Sequence, residues 1–241
     1  GDFVRAHPLY PVILLLIALG AFTKSAQIPF HIWLPDAMTA PTPASAFLHS
    51  ATMVKAGIYL LARLHPILGL TDLWFWVMTG TGLATMITGA FLGLRQVDLK
   101  RILAYSTISQ LGVLVSLLGQ DTSIAFKALV ISILAHALYK SALFLLTGII
   151  DHETGTRDLR NLGGLAGDMP RTALVSGIAA LSMGGLPPLF CPAFVVLVSG
   201  RSVAGASAPG RISGQGRPGG FWQPGKGLSG IMDRDQRASC A

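Results

Sequence analysis

The sequence predicts an all-α membrane protein. Of its 241 residues, 51% are hydrophobic and only 12% are charged, and the mean hydropathy is +0.60. A soluble domain carries about a quarter charged residues. Several apolar runs approach the roughly 20 residues that a helix needs to cross a bilayer, so we expect about six transmembrane helices. Their approximate bounds are 8–24, 44–64, 73–92, 102–119, 123–150 and 172–190.

The first two spans are separated by a polar, proline-rich stretch, residues 25–43 (SAQIPFHIWLPDAMTAPTP). Pro29 lacks an amide N–H and would clash with the carbonyl of Ser25 in a continuing helix. Freed backbone groups inside a membrane need protein or water partners. A break here therefore predicts a broken, re-entrant helix with a small polar cavity beside Lys24.

The sixth span contains the same device in GGLPPLF, residues 184–190, where we expect Pro187 and Pro188 to break the helix. Two proline-interrupted spans in corresponding halves are typical of inverted-repeat transporters, in which the ion path lies at the breaks. A plain kink that serves packing is the alternative.

The connecting loops indicate the topology. If the spans alternate in direction, loops 93–101 and 151–171 lie on one side of the membrane. That side carries most of the basic loop residues, which are Arg95, Lys100, Arg101, Arg157, Arg160 and Arg171, whereas the other side has Arg5 and Arg63. The excess of basic residues predicts that the first side is cytoplasmic.

The character of the chain changes near residue 190. Residues 191–241 are rich in Gly, Ser, Arg and Pro and have no sustained apolar period. Such a segment buries too little apolar surface to fold, so we expect a disordered tail or the product of a shifted coding frame. We interpret 1–190 as a partial transmembrane domain and the chain as a fragment, since it starts at Gly1 without a signal peptide pattern.

Three lysines are placed inside apolar runs, namely Lys24, Lys55 and Lys140. A lysine at the middle of a bilayer costs roughly 2.5–3.5 kcal/mol on insertion scales, which favours a function for all three. A lysine can also give up its proton, whereas arginine cannot. The alternative is that each ammonium reaches the interface, as we expect for Lys100 and Lys127 near the ends of their spans.

Two histidines accompany these lysines. His136 precedes Lys140 by four residues, so the two stand on one face of a helix, one turn apart. His49 precedes Lys55 by six residues in the second span. A histidine titrates near neutral pH and passes a proton through either ring nitrogen, so we predict a proton relay. A histidine bonded to a backbone carbonyl is the alternative.

Other classes of site are excluded by what the sequence lacks. The basic residues form no patch with interleaved aromatic residues, so no nucleic-acid partner is predicted. Cys191 and Cys240 are far apart, and no Cys, His or carboxylate cluster has the spacing of metal ligands. No Gly-x-Ser-x-Gly elbow supports a hydrolase, and no cofactor motif occurs. We therefore expect neither an enzyme nor a cofactor.

Three segments together carry a resemblance to a known family. They are FTKSAQIPFHIWLPDAMTAPTPASAFLHSATMVKAGIYLLARL, DLKRILAYSTISQLG and HALYKSALFL, in this order and spacing. The sequence over residues 8–190 resembles the proton-translocating antiporter-like subunits shared by respiratory complex I and Mrp-type cation/proton antiporters. Within that family it is most similar to the A-type subunits of Mrp-type Na⁺/H⁺ antiporters, because ATMVKAG carries Lys55 and because GIIDHETGTRD is also similar.

The resemblance implies a role for each candidate residue. Lys24 matches the lysine on the family's broken helix, and His49 matches a histidine that bridges two half-channels. Lys140 matches the central lysine, His136 the histidine one turn before it, and Lys55 an extra lysine of some members. The family also has a glutamate that would precede Gly1 and a lysine soon after GGLPPLF. The sequence contains neither, so we expect this chain alone not to transport ions.

The function that the resemblance implies is proton conduction within a multisubunit Na⁺/H⁺ antiporter of the bacterial inner membrane. The expected partners are other subunits of the complex, protons, Na⁺ or a similar monovalent cation, and the lipid bilayer. Two alternatives remain open. One is an antiporter-like, proton-pumping subunit of NADH:quinone oxidoreductase, and the other is a structural subunit that does not transport.

Overall fold

The computed structural model describes residues 2–184, and this part of the chain is helical and contains no strand. The α-helices are α1 Asp2–Arg5, α2 Tyr10–Lys24, α3 Trp33–Asp36, α4 Thr42–Ala46, α5 Lys55–Leu68, α6 Asp72–Leu94, α7 Leu99–Leu118, α8 Ser123–Thr154, α9 Leu165–Asp168 and α10 Pro170–Gly184. Turns of 3-10 helix cover Ala37–Thr39 and Leu159–Asn161, and a π-helical turn covers Phe47–Ala51.

The predicted membrane fold class is confirmed. Within residues 2–184, helices α6, α7 and α8 are long and apolar enough to cross a membrane, whereas α2 is apolar but only 15 residues long. The predicted span at 44–64 is wrong as a continuous helix, because α4, the π-helical turn and α5 divide it. The last predicted span corresponds to α10. Pro187, Pro188 and the tail 191–241 lie outside the described residues.

Side-chain caps fix the starts of the three long helices. Thr71, Asp98 and Thr122 each accept a hydrogen bond from a backbone N–H in the first turn, of α6, α7 and α8 respectively. Such caps satisfy one of the amide groups that a helix start leaves unpaired. Helix α8 is capped at its C-terminus by Gly155, whose φ of 67° is the left-handed conformation that glycine adopts without steric cost.

Helices α6 and α7 form a close antiparallel hairpin through small residues. A Cβ atom added at Gly82 would lie 2.6 Å from the backbone nitrogen of Ser116, and one added at Gly89 would lie 2.6 Å from that of Ser109. Neither position has room for a side chain. Small residues allow helix backbones to approach closely in a membrane, where no hydrophobic force draws helices together.

Helix α7 lies at the centre of the bundle. In the most apolar stretch of 18 residues of each helix, 67% of the residues of α7 are buried, compared with 22% for α6 and 33% for α8. The outer faces of α2, α6 and α8 carry exposed large apolar side chains, among them Leu16, Ile87 and Leu138. Such faces suit contact with lipid or with neighbouring membrane helices.

The two basic loops meet at one end of the bundle, as the predicted topology requires. Asp98 and Asp158 form an isolated antiparallel bridge. Its hydrogen bonds run from Leu99 N to the Arg157 carbonyl (3.1 Å) and from Leu159 N to the Val97 carbonyl (3.0 Å). We call this the basic end. The placement of both loops on one side is thereby confirmed, while its cytoplasmic orientation stays a prediction.

Candidate functional site

Helix α8 presents a buried stripe of polar and aromatic side chains. Ser132, His136, Lys140 and Phe144 follow at intervals of four residues and therefore share one helical face. All four side chains are buried. The face is covered by α4, the π-helical turn and α7, each of which packs against α8. The helical spacing of His136 and Lys140 thus becomes a shared interior face.

Lys140 is completely buried and is held from α7. Its Nζ atom donates a hydrogen bond to the Leu103 carbonyl (3.1 Å) and a second one to Ser106 Oγ. Leu103 and Ser106 are three residues apart on α7, so they form one acceptor surface facing α8. Both acceptors are neutral, and among the described residues Lys140 has no ion pair.

Lys55 contacts α8 one turn before His136, whereas Lys140 follows His136 by one turn. Lys55 is the first residue of α5, follows the helical break at 52–54, and is 7% exposed. Its Nζ atom donates to the carbonyl of Ile133 (3.1 Å), which lies one turn before His136 on α8. The break between the π-helical turn and α5 is what brings Lys55 to α8.

His49 lies in the π-helical turn and faces α8 near Lys140. The centroid of its ring is 5.9 Å from that of Phe144, which follows Lys140 by one turn. In a π-helical turn each backbone hydrogen bond spans five residues instead of the four of an α-helix. Such turns occur frequently at functional sites. In this chain the turn directs His49 towards the row of polar groups on α8.

Both histidines are buried without protein partners for their ring nitrogens. His49 and His136 are each 1% exposed, and within residues 2–184 neither Nδ1 nor Nε2 of either ring has a hydrogen-bond partner. The same holds for Ser132 Oγ. Buried polar atoms are paired in the great majority of cases, with protein or with ordered water. The ring nitrogens are thus available to water, contrary to the alternative of a carbonyl-bonded histidine.

Lys24 differs from the other candidates because its side chain is exposed on the described chain. It is the last residue of α2, and the non-helical segment after it contains Pro29, with a cis Ile28–Pro29 bond, before α3 begins at Trp33. In that segment Ile28 N donates to Thr85 Oγ1 (3.1 Å). The structure therefore brings His49, Lys55, His136 and Lys140 together and leaves Lys24 at the edge.

Two expectations about lysines near helix ends have different outcomes. Lys127 on α8 is exposed, as predicted. Lys100 was expected to extend to the interface, and this prediction is wrong, because its side chain is 3% exposed and its Nζ atom donates to the Ala40 carbonyl (3.1 Å). The segment after α3 covers the start of α7 and buries the side chain of Lys100.

The sequence reasoning missed the groups that hold the lysines. Ser106 gave only a weak signal, a hydroxyl in an apolar helix, and the carbonyls of Leu103 and Ile133 gave none, because backbone acceptors do not depend on side-chain identity. No group of three or more His, Cys, Asp or Glu side chains able to hold a metal occurs in the part of the chain that is described.

Comparison with known proteins identifies relatives of the chain. The model of the family "NADH:quinone oxidoreductase/Mrp antiporter, TM" matches residues 2–206. A probable A/B-type subunit of a K(+)/H(+) antiporter from Rhizobium meliloti is 54% identical over 189 residues, which is 78% of this chain and 19% of that protein. The A-type subunit of a Na(+)/H(+) antiporter from Bacillus subtilis is 53% identical over 198 residues, covering 78% of this chain and 25% of that protein.

Solved structures agree with the family match. A chain in the structure of the Mrp complex from a Dietzia species superposes with a TM-score of 0.75 at 50% identity, covering 81% of this chain and 22% of that one. A chain of an archaeal membrane-bound sulfane sulfur reductase, a respiratory membrane complex, gives 0.71 at 26% identity, covering 80% and 42%. The chain spans 19% of the length of one curated relative and 25% of the other. It belongs to the NADH:quinone oxidoreductase/Mrp antiporter family of transmembrane proteins.

Proposed function

We propose that this chain is part of the proton-conducting subunit of a multisubunit antiporter that exchanges protons for Na⁺ or a similar monovalent cation. The observation that carries the proposal is the buried group formed at α8, in which His136 lies between the acceptor of Lys55 and Lys140, and His49 approaches the Lys140 end. The proton path consists of water and five side chains, Lys24, Lys55, His49, His136 and Lys140.

The two buried lysines have the chemistry of proton carriers. The protein acceptors of both ammonium groups are neutral: the carbonyl of Ile133 for Lys55, and Leu103 O with Ser106 Oγ for Lys140. A carboxylate partner would be left as an unpaired buried anion if the lysine lost its proton, and such an anion is very costly. Neutral acceptors impose no such cost, so these lysines can exchange protons.

The histidines complete the path between the lysines. His136 lies on α8 between Ile133, which binds Lys55, and Lys140, so a proton that moves from one lysine to the other passes its ring. An imidazole accepts a proton at one nitrogen and releases one from the other, which allows net transfer without moving the side chain far. His49, beside Phe144, approaches the Lys140 end of the row. Lys24, exposed at the end of α2, forms one end of the proposed proton path.

The names of the relatives support the class of transport. The two curated relatives are described as K⁺/H⁺ and Na⁺/H⁺ antiporter subunits, and a solved relative belongs to an Mrp complex. By this analogy the chain works with other subunits, as a transporter rather than an enzyme, in the inner membrane of a bacterium. An antiporter-like subunit of a respiratory complex is the second candidate, favoured by the sulfane sulfur reductase neighbour, but that chain is only 26% identical.

The assembled complex in inverted membrane vesicles tests the proposal. In the first experiment respiration establishes a pH gradient, and addition of Na⁺ or K⁺ should dissipate it, as measured with a fluorescent pH probe. In the second experiment respiration is inhibited, and addition of the cation should still move protons. Proton movement that strictly requires NADH or quinone turnover would favour the respiratory candidate. A complex that assembles normally and moves no protons with any monovalent cation would favour a structural subunit.

A further inference from the structure

A histidine–carboxylate pair lies at the end of the bundle opposite the basic end. His65 Nε2 is 2.8 Å from Asp121 Oδ1, and the two side chains are 20% and 29% exposed. His65 belongs to the last turn of α5, whereas Asp121 lies in the connection between α7 and α8. The pair therefore joins two segments that are 56 residues apart in the sequence. The proposed proton path uses neither side chain.

The turn after α5 is built around this pair. The same Asp121 oxygen accepts a hydrogen bond of 3.4 Å from the backbone nitrogen of Leu70. Leu70 has a φ of 65°, a left-handed conformation that bulky residues rarely adopt, so the turn needs contacts that hold it. A Cβ atom added at Gly69 would lie 2.9 Å from His65 Nε2, so the ring packs here only because residue 69 is glycine. The imidazole also meets the Trp74 ring edge-on, with the centroids 5.7 Å apart.

Helix α5 has a polar contact with α8 or its connection near each of its ends. At its start, Lys55 Nζ donates to the Ile133 carbonyl of α8. Near its other end, His65 contacts Asp121, which lies just before α8 begins at Ser123. A helix rises 1.5 Å per residue, so Lys55 and His65 are roughly 15 Å apart along α5. Because a helix of this length is stiff, the pair at one end affects the position of Lys55 at the other.

We propose that His65 and Asp121 are positioning residues for Lys55, and that protonation of His65 tightens their hold on α5. The inference rests on the proposed function for the role of Lys55, but the two contacts of α5 are a property of the packing. When the imidazole is protonated, its contact with Asp121 is an ion pair. When the imidazole is neutral, the attraction between opposite charges is lost and a weaker hydrogen bond remains.

The surroundings of the pair favour His65 as the group through which pH acts. Further charged or titratable side chains at this end include Arg5, His7, Tyr10, Arg63 and Asp72. Among these types of side chain, only histidine ordinarily changes its charge between pH 5 and 8. His7 is exposed and its Nδ1 atom accepts a hydrogen bond from a backbone N–H, whereas His65 is mostly covered and contacts a carboxylate. A change of charge at His65 is therefore felt by the packing of α5.

Hydrogen–deuterium exchange of the assembled complex tests the link between the two ends of α5 without a transport measurement. Asp121→Asn removes the negative charge and keeps the size of the side chain. We expect the backbone amides of residues 66–71 to exchange faster, and those of residues 56–61, next to Lys55, to exchange severalfold faster as well. The matched control is Glu153→Gln, which removes the carboxylate of an exposed histidine–carboxylate pair and should change neither region. Faster exchange confined to 66–71 would overturn the link.

The pH dependence of cation-driven proton exchange tests the protonation. In His65→Gln the side-chain amide can still donate to Asp121 but takes up no proton between pH 5 and 8. We expect the assembled variant to be severalfold slower than the wild type at about pH 5.5, where imidazoles are largely charged, and equal to it at about pH 8. His152→Gln, at an exposed histidine, is the control and should match the wild type at both pH values. A purely structural role for His65 would lower the rate by the same factor at every pH, and that result would overturn the pH dependence.

The outcomes separate this inference from the proposed function. If the amides next to Lys55 respond and the ratio of the rates depends on pH, both the link and its effect on exchange are supported. If the amides respond but the rate does not, the link stands, while its effect on transport through Lys55 fails. If the parent complex exchanges cations for protons and neither the amides nor the rate responds, the function stands and the positioning role is wrong. If the parent complex moves no protons with any monovalent cation, the proposed function fails and the amides alone decide the link.

Discussion

Lys140 owes its position to two neutral acceptors on a neighbouring helix. The Leu103 carbonyl and Ser106 Oγ hold its ammonium in the interior, where a carboxylate would be the more usual partner of a buried lysine. These neutral acceptors bind the ammonium group without fixing the protonation state of the lysine. This arrangement suits a group whose task is to exchange protons rather than to stabilise the fold.

Removal of the Ser106 hydroxyl should weaken the binding of this ammonium without abolishing it. In Ser106→Ala the ammonium keeps only the Leu103 carbonyl, and losing a hydrogen bond to a charged group costs about 1.5–3 kcal/mol. We expect the exchange rate of the assembled complex to fall about tenfold or more. The matched control is Ser109→Ala on the same helix, whose hydroxyl bonds to the Met86 carbonyl. An equal effect of both changes would indicate general helix damage.

At this scale the sequence predicted some residues well and others badly. The interval between His136 and Lys140 is a local property of a helix, and it led directly to the buried row. Burial of Lys100 depends on the segment after α3 folding over the start of α7, which is a long-range contact that no local pattern encodes. Lys24 shows the converse, because an apolar run surrounds it and yet its side chain is exposed.

The interrupted second span is the main difference at the scale of elements. Residues 44–64 are apolar enough to predict one helix, but the structure has α4, a π-helical turn and α5 instead. Hydropathy reports the average composition of a stretch of sequence and cannot detect a local change in the backbone hydrogen-bond pattern. The interruption matters for function, because it separates His49 from Lys55 and directs both towards α8. By contrast, α6, α7 and α8 follow the predicted spans closely.

The glycine contacts between α6 and α7 lead to a prediction about stability. In Gly82→Ala the new methyl group would overlap the backbone of α7 near Ser116, and overpacking of this kind typically costs about 1–3 kcal/mol. Gly80→Ala on the same helix is the control, since a Cβ atom there meets nothing within 4 Å. We expect a lower unfolding temperature of the purified complex for Gly82→Ala alone. Identical melting curves would contradict the close packing.

Within residues 2–184, the two loops that carry most of the basic residues, 93–101 and 151–171, lie together at the basic end. Lys100 also lies there, while Arg5 donates to the carbonyls of Pro66 and Ile67 at the end of α5. Positive charge on one side predicts that the basic end faces the cytoplasm. The sequence sufficed to predict that the two loops lie on one side, because the distribution of charge among loops is visible without contacts.

Cysteine labelling from each side of the membrane tests this orientation. In a background with Cys191 and Cys240 replaced by serine, Arg160→Cys at the basic end should react with a membrane-impermeant maleimide only from the cytoplasmic side. His7→Cys, also at an exposed position but in the segment between α1 and α2, should react only from the other side. The reverse pattern would invert the topology and place the basic end on the outer side of the membrane.

The measurement that tests the central claim most directly is cation-driven proton exchange by the assembled complex carrying Lys140→Arg. Arginine keeps the positive charge but does not release its proton, so the change separates charge from proton transfer. Lys127→Arg is the control, because Lys127 lies on the same helix but is exposed. We predict that Lys140→Arg abolishes exchange in a complex that assembles normally, while Lys127→Arg retains it. Full exchange by Lys140→Arg would contradict a path that runs through this lysine.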